Sequence, residues 1–181
     1  MFRSLVNRLG RRVALSLAAT LPPPRIIMDR EGSSPYLSRY YVFGGPRDED
    51  SFDELGNPRP STVWRTLPFN VYLHRFHRSD DDAALHNHPW TWSFSVILAG
   101  GYVEYRRHGL HEVRERRVLP GSINVIRGDD YHRVDLIESD AWSLFVAGPR
   151  SQSWSFWDPE TGMTWPWREF IDRRRSVEEV L

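Results

Sequence analysis

Histidine, arginine and the carboxylates are the side chains through which this chain can do chemistry. No cysteine and no lysine occur anywhere in its 181 residues. Among the 7 histidines, His86 and His88 stand one residue apart. On an extended segment side chains alternate with period two, so both imidazoles point to one side and can reach one ion. His132 comes far downstream, just after the turn-like Arg127-Gly128-Asp129-Asp130, and opens a strand pattern. Antiparallel strands distant in sequence can bring this third imidazole onto the same face. His74 shares strand parity with Tyr72 and Phe76; it reads either as a substrate contact facing the interior or as a core histidine. His77, His108 and His111 read as solvated, and Asp80-Asp81-Asp82 as a solvated turn.

The missing residue types exclude whole classes of chemistry. Without lysine there is no Schiff-base, phosphate-loop or general-base lysine. Without cysteine there is no thiolate nucleophile, disulfide, iron–sulfur ligation or zinc ribbon. A formal net charge of +0 and a pI near 7.1 argue against a dedicated nucleic-acid binder. No run approaches the roughly 20 apolar residues of a membrane span. The best candidate, Val13 to Leu21, is interrupted by Ser16 and Thr20. The chain is therefore expected to be soluble and cytoplasmic.

The elements that must position the histidines are mostly strands. Alternation marks them at Tyr36 to Phe43, Phe69 to Phe76, Thr91 to Leu98, Tyr102 to Arg106, Glu112 to Val118, Ser122 to Ile126, His132 to Leu136 and Trp142 to Ala147. So many short strands suggest a sandwich or barrel. Gly44 to Ser61, rich in Gly, Pro and acids, reads as a long surface loop. Residues 1 to 28 carry Arg3, Arg8, Arg11, Arg12 and Arg25, no acid, and apolar residues at helical spacing. Such a start resembles a transit peptide or an interfacial helix. The preferred reading is a helix packed on the domain and stopped by Pro22-Pro23-Pro24. The expected division is thus 1–28, helix and proline linker, and 29–181, one β domain with a C-terminal extension. In that extension Trp154, Trp157, Trp165 and Trp167 look too irregular for a strand and are expected to cover an open barrel face or a dimer contact. A helix is expected from Arg168 to Leu181.

The stretches LHNHPWTWSFSVILAGGYVE and LPGSINVIRGDDYHRV resemble the two motifs of the cupin superfamily, small jelly-roll β-barrels that often carry a metal. His86 and His88 fill the paired histidine positions, Gly100 the closing glycine, and Gly121 and His132 the ends of the second motif. Asp80 replaces the leading glycine, Ser93 the glutamate, Arg127 the proline, Asp129 the following glycine and Leu136 the asparagine. The resemblance implies an all-β fold, a single cupin (double-stranded β-helix, jelly-roll) barrel, with His86, His88 and His132 as metal ligands. With Ser93 at the glutamate position, the implied donor set is three neutral imidazoles. These suit Fe(II), Zn(II), Ni(II) or Cu(II) and leave positions open. Glu104 can replace the missing carboxylate only if it points inward.

A three-histidine site without the carboxylate is similar to that of the thiol dioxygenases. Ser38-Arg39 and Ser143 echo that group; Phe145 and Ala147 stand where its relay histidine and tyrosine belong. The resulting expectation is a mononuclear metal-dependent oxygenase with Fe(II) favoured and Zn(II) or Ni(II) possible, acting on a small anionic molecule, with Arg39 and His74 as catalytic residues. Arg75, Arg127 and Arg133 are further anion-binding candidates, with Trp90 and Trp92 as pocket walls. A non-catalytic metal- or ligand-binding cupin and a non-redox isomerase are the alternatives. The expected partners are the small anionic substrate and a second copy in a homodimer, with no nucleic acid and no membrane span.

Overall fold

The computed structural model describes residues 2–29, 32–43, 69–81, 83–109 and 111–178. The Gly44 to Ser61 loop, Asp82, and the last three residues of the expected C-terminal helix lie outside them. Among the described residues, one antiparallel sheet takes in strands β1 (Arg25–Met28), β2 (Pro35–Phe43), β3 (Asn70–Phe76), β5 (Trp92–Ala99), β8 (Ile123–Arg127) and β10 (Ala141–Ala147), in the order β1-β2-β3-β10-β5-β8. The other takes in β4 (Leu85–His86), β6 (Tyr102–His108), β7 (Glu112–Val118), β9 (His132–Leu136), β11 (Ser155–Trp157) and β12 (Thr164–Pro166), in the order β12-β11-β4-β9-β6-β7. From β3 to β10 the chain shuttles between the two sheets, which is the double-stranded β-helix of a jelly roll. All eight strands read from the sequence are present.

Period-two alternation decides what faces the interior. On β5, Ser93, Ser95, Ile97 and Ala99 are buried while Trp92, Phe94, Val96 and Leu98 lie on the outer face. On β3, Tyr72 and His74 turn inward, and Leu73 packs outward under the N-terminal helix α1 (Phe2–Thr20). One core cluster, Ile97, Tyr102, Val118 and Val134, fills the barrel. A second, Tyr72, Trp90, Phe145 and Ala147, walls the site described below.

Helix α1 lies on the first sheet. Ala14 is fully buried against Leu73, Ala99 and Trp142. Gly10 makes the close approach feasible, since a Cβ there would sit 1.8 Å from the Leu98 carbonyl oxygen. Asn7 accepts a hydrogen bond from the Gly100 amide at 2.8 Å, and Arg11 pairs with Asp140 at 2.5 Å and Glu138 at 3.2 Å. Gly100, the closing glycine of the first motif, has φ +74°.

Two readings need correction. The residues after Pro24 are not a linker, for Arg25–Met28 pairs with β2 and extends the sheet. The tryptophan-rich tail is not irregular throughout: β11 pairs with β12 and with β4, which is itself too short to show a period. Helix α2 (Trp167–Glu178) follows.

Candidate metal centre

The site forms where β4 meets β9. His86 and His132 are cross-strand partners, and His88 lies just beyond the end of β4. One ring nitrogen from each of His86, His88 and His132 lies within 4.8 Å of the other two. The Nε2 atoms of His88 and His132 are 2.8 Å apart. A cation at ~2.1 Å from each, with the two bonds near a right angle, would hold them roughly 3 Å apart. The three side chains therefore fit a divalent ion.

The resemblance left open what replaces the missing carboxylate, and the answer comes from β6. Glu104 is buried and does point inward, yet it faces His132 and not the nitrogen cluster. Its Oε1 lies 2.9 Å from His132 Nδ1 and accepts from Arg106 at 3.0 Å and Asn124 at 2.8 Å, while Oε2 accepts from Arg116 at 3.0 Å. Burial alone would raise this carboxyl, but hydrogen bonds from His132 and Asn124 and the charge of Arg106 outweigh it and hold the group below its ordinary range. An ionised Glu104 places the His132 proton on Nδ1 and leaves the Nε2 lone pair facing His88. Ser93, at the glutamate position, is buried and donates to the Ile126 carbonyl at 3.5 Å.

Burial keeps the other two imidazoles neutral. His86 is lowered to about 4 by desolvation, which the nearby Asp80 opposes and His132 reinforces. His88 is pushed well below its ordinary value by burial and by the neighbouring His132 and His86. Asp80 is more than a solvated turn residue: it accepts from Tyr36 Oη and from the Val134 amide at 2.7 Å, and lies 3.9 Å from His86 Nδ1. His77 is likewise partly buried, its Nε2 hydrogen-bonded to Ser38 Oγ at 2.7 Å.

A cavity of about 380 Å³ opens onto the three histidines. Arg39 and His74 both line it, and Arg39 Nε donates to His74 Nε2 at 3.0 Å. His74 stacks on Phe145 at 4.9 Å, and burial, then the charge of Arg39, pushes it well below its ordinary value. A neutral His74 accepting at Nε2 carries its proton on Nδ1, which is buried and has no hydrogen-bond partner among the described residues.

The other arginine candidates do not reach the cavity. Arg75 pairs with Asp140 at 3.0 Å, Arg133 pairs with Asp135 at 2.6 Å over the Tyr105 ring, and Arg127 is exposed. Their neighbours His74, His132 and Ile126 face inward, so parity turns the arginines out. Trp92 points outward for the same reason; Trp90 walls the cavity and stacks on His88 at 5.6 Å. Arg25 and Arg150, which sequence reasoning missed, also line the cavity. The stacked pair Trp154 and Trp167, 5.5 Å apart, covers it from the C-terminal extension.

No protein-family model and no curated protein matches the chain. Three similar solved structures are cupin-fold proteins. Oxalate decarboxylase from Bacillus subtilis is 13% identical with a TM-score of 0.46, over 74% of this chain and 28% of that one. KdgF from Halomonas sp. is 16% identical with a TM-score of 0.42, over 66% and 85%. The DMSP lyase DddQ from Ruegeria pomeroyi DSS-3 is 16% identical with a TM-score of 0.44, over 69% and 56%. The match thus spans under a third of the oxalate decarboxylase chain. This chain has a cupin barrel. Its strand order and the register of His86 with His132 are the grounds for that statement. Among the described residues no helix of this chain is long and apolar enough to cross a membrane.

Proposed function

We propose that this cupin is a mononuclear metal-dependent oxygenase in which His86, His88 and His132 hold one Fe(II) and a small anionic molecule is the substrate. The observation that carries the reading is the diversion of Glu104 to His132, which leaves a cluster of three imidazoles with no carboxylate among the described residues. When bound there, Fe(II) keeps its full positive charge and offers open positions to substrate and dioxygen, so both reactants come together.

The chain's own residues supply the rest. Arg39, beside Trp90, provides a planar guanidinium suited to a carboxylate. His74, accepting from Arg39 Nε at 3.0 Å, positions that guanidinium at the cavity wall. Pro89 and Trp90 shield the cluster from bulk water. The test is anaerobic loading with Fe(II), then nitric oxide as a dioxygen surrogate followed by spin resonance. An iron–nitrosyl signal that His88→Ala abolishes is the expected result. Stoichiometric iron without any nitrosyl adduct would mean a closed site, and the oxygenase reading would fall.

A further inference from the structure

Resting on the reading of this cavity as the substrate site, we propose that the ligand is a carboxylic acid with an apolar, ring-sized body, its carboxylate on the Arg39 side and its body against Trp154 and Trp167. The protein is neutral as a whole, yet the described residues that line the cavity include Arg25, Arg39 and Arg150 and no Asp or Glu. The three guanidiniums come from β1, from β2 and from the segment after β10, so no sequence run of arginines accounts for their convergence. Arg25 and Arg39 are direct cross-strand partners.

The body follows from the remaining walls. Phe76, Phe145, Trp90, Trp154 and Trp167 make the cavity chiefly aromatic. A wholly polar anion such as acetate leaves that surface without a partner, whereas an apolar body covers it. Two anchor groups define the ends. Trp90 lies 6.0 Å from the Arg39 guanidinium carbon and 5.6 Å from the His88 ring, so an acid group near Arg39 is also near the histidines. Trp154 lies edge-on to His86 at 6.5 Å and stacks on Trp167, on the other flank of the triad.

The experiment is calorimetric titration of the Zn(II)-loaded protein with phenylacetate, 3-phenylpropanoate, acetate and 2-phenylacetamide, repeated after chelation. At least one aryl acid is expected to bind at least tenfold more tightly than both acetate and the neutral amide. Arg39→Gln should remove the advantage over the amide, and Trp154→Ala the advantage over acetate. Equal affinity for acid and amide, equal affinity for aryl acid and acetate, or no binding of either aryl acid overturns the proposal, and the unsubstituted protein alone decides it. Metal content is read on the same samples. An aryl-acid preference in protein that takes up no metal leaves the ligand class standing and removes the metal reading; one ion per chain without that preference does the reverse.

Discussion

Replacing Glu104 by alanine is expected to weaken binding of a divalent ion about 10- to 100-fold and to destabilise the metal-free protein by about 3 kcal/mol. The first effect arises because His132 loses the acceptor that keeps its proton on Nδ1, so Nε2 no longer presents its lone pair at all times. The second arises because the carboxylate is only 1% exposed and answers four donors. Its removal leaves Asn124 and the His132 Nδ1–H buried without that partner. Arg116 is half exposed and rehydrates, which keeps the cost at the lower end of the range for a broken buried pair. Glu104→Gln keeps an acceptor for His132 but not the charge, so it should retain more metal affinity than alanine. Competition against a chelator measures the first effect and urea unfolding the second. Unchanged metal affinity in the alanine variant would show that His132 does not need this carboxylate.

Acid should destabilise the metal-free protein well above the range in which carboxylates titrate. His86 is lowered to about 4 by burial, and His88 and His74 are lowered too. The unfolded chain takes up protons on these rings as the pH falls through about 6.5, whereas the native state resists. Their contribution is therefore fully present above pH 6.5 and is lost as the pH falls below it, for His86 progressively toward pH 4. For His86 alone the loss is on the order of 3 kcal/mol. Glu104 acts lower: its folded-state pKa is depressed, so its contribution holds above its unfolded value near 4.5 and fades as the pH drops through the folded one. Urea midpoints of chelator-treated protein at pH 7.5, 6 and 5 should decrease in that order, and bound Zn(II) should lessen the decline at pH 6. A flat profile between pH 7.5 and 5 would show that these rings are not held neutral by burial.

Much of this site is legible from the chain because two rules are local. Period-two alternation finds eight strands and turns His86 and His88 to one side. The same rule, applied strictly, would have discarded Arg75, Arg127, Arg133 and Trp92, each next to an inward residue. What stayed illegible depends on strand register across long separations. Glu104 reads as inward by parity, but whether it meets the ion or a histidine depends on Arg106 lying opposite His132 in the β6–β9 pair. Arg25 enters the cavity only because β1 pairs with β2 so that it faces Arg39. Strand β4 has two residues and no period to read; its place is set by β9 and β11.

The central claim is that His86, His88 and His132 hold one divalent ion. Elemental analysis of protein purified without a polyhistidine tag tests it most directly, comparing the natural chain with the His86→Ala/His132→Ala double variant after equal exposure to Fe(II) or Zn(II) and gel filtration. The account predicts close to one ion per chain in the former and less than about a tenth of that in a folded double variant, since one remaining imidazole cannot hold the metal. Equal metal content in the two proteins would contradict it.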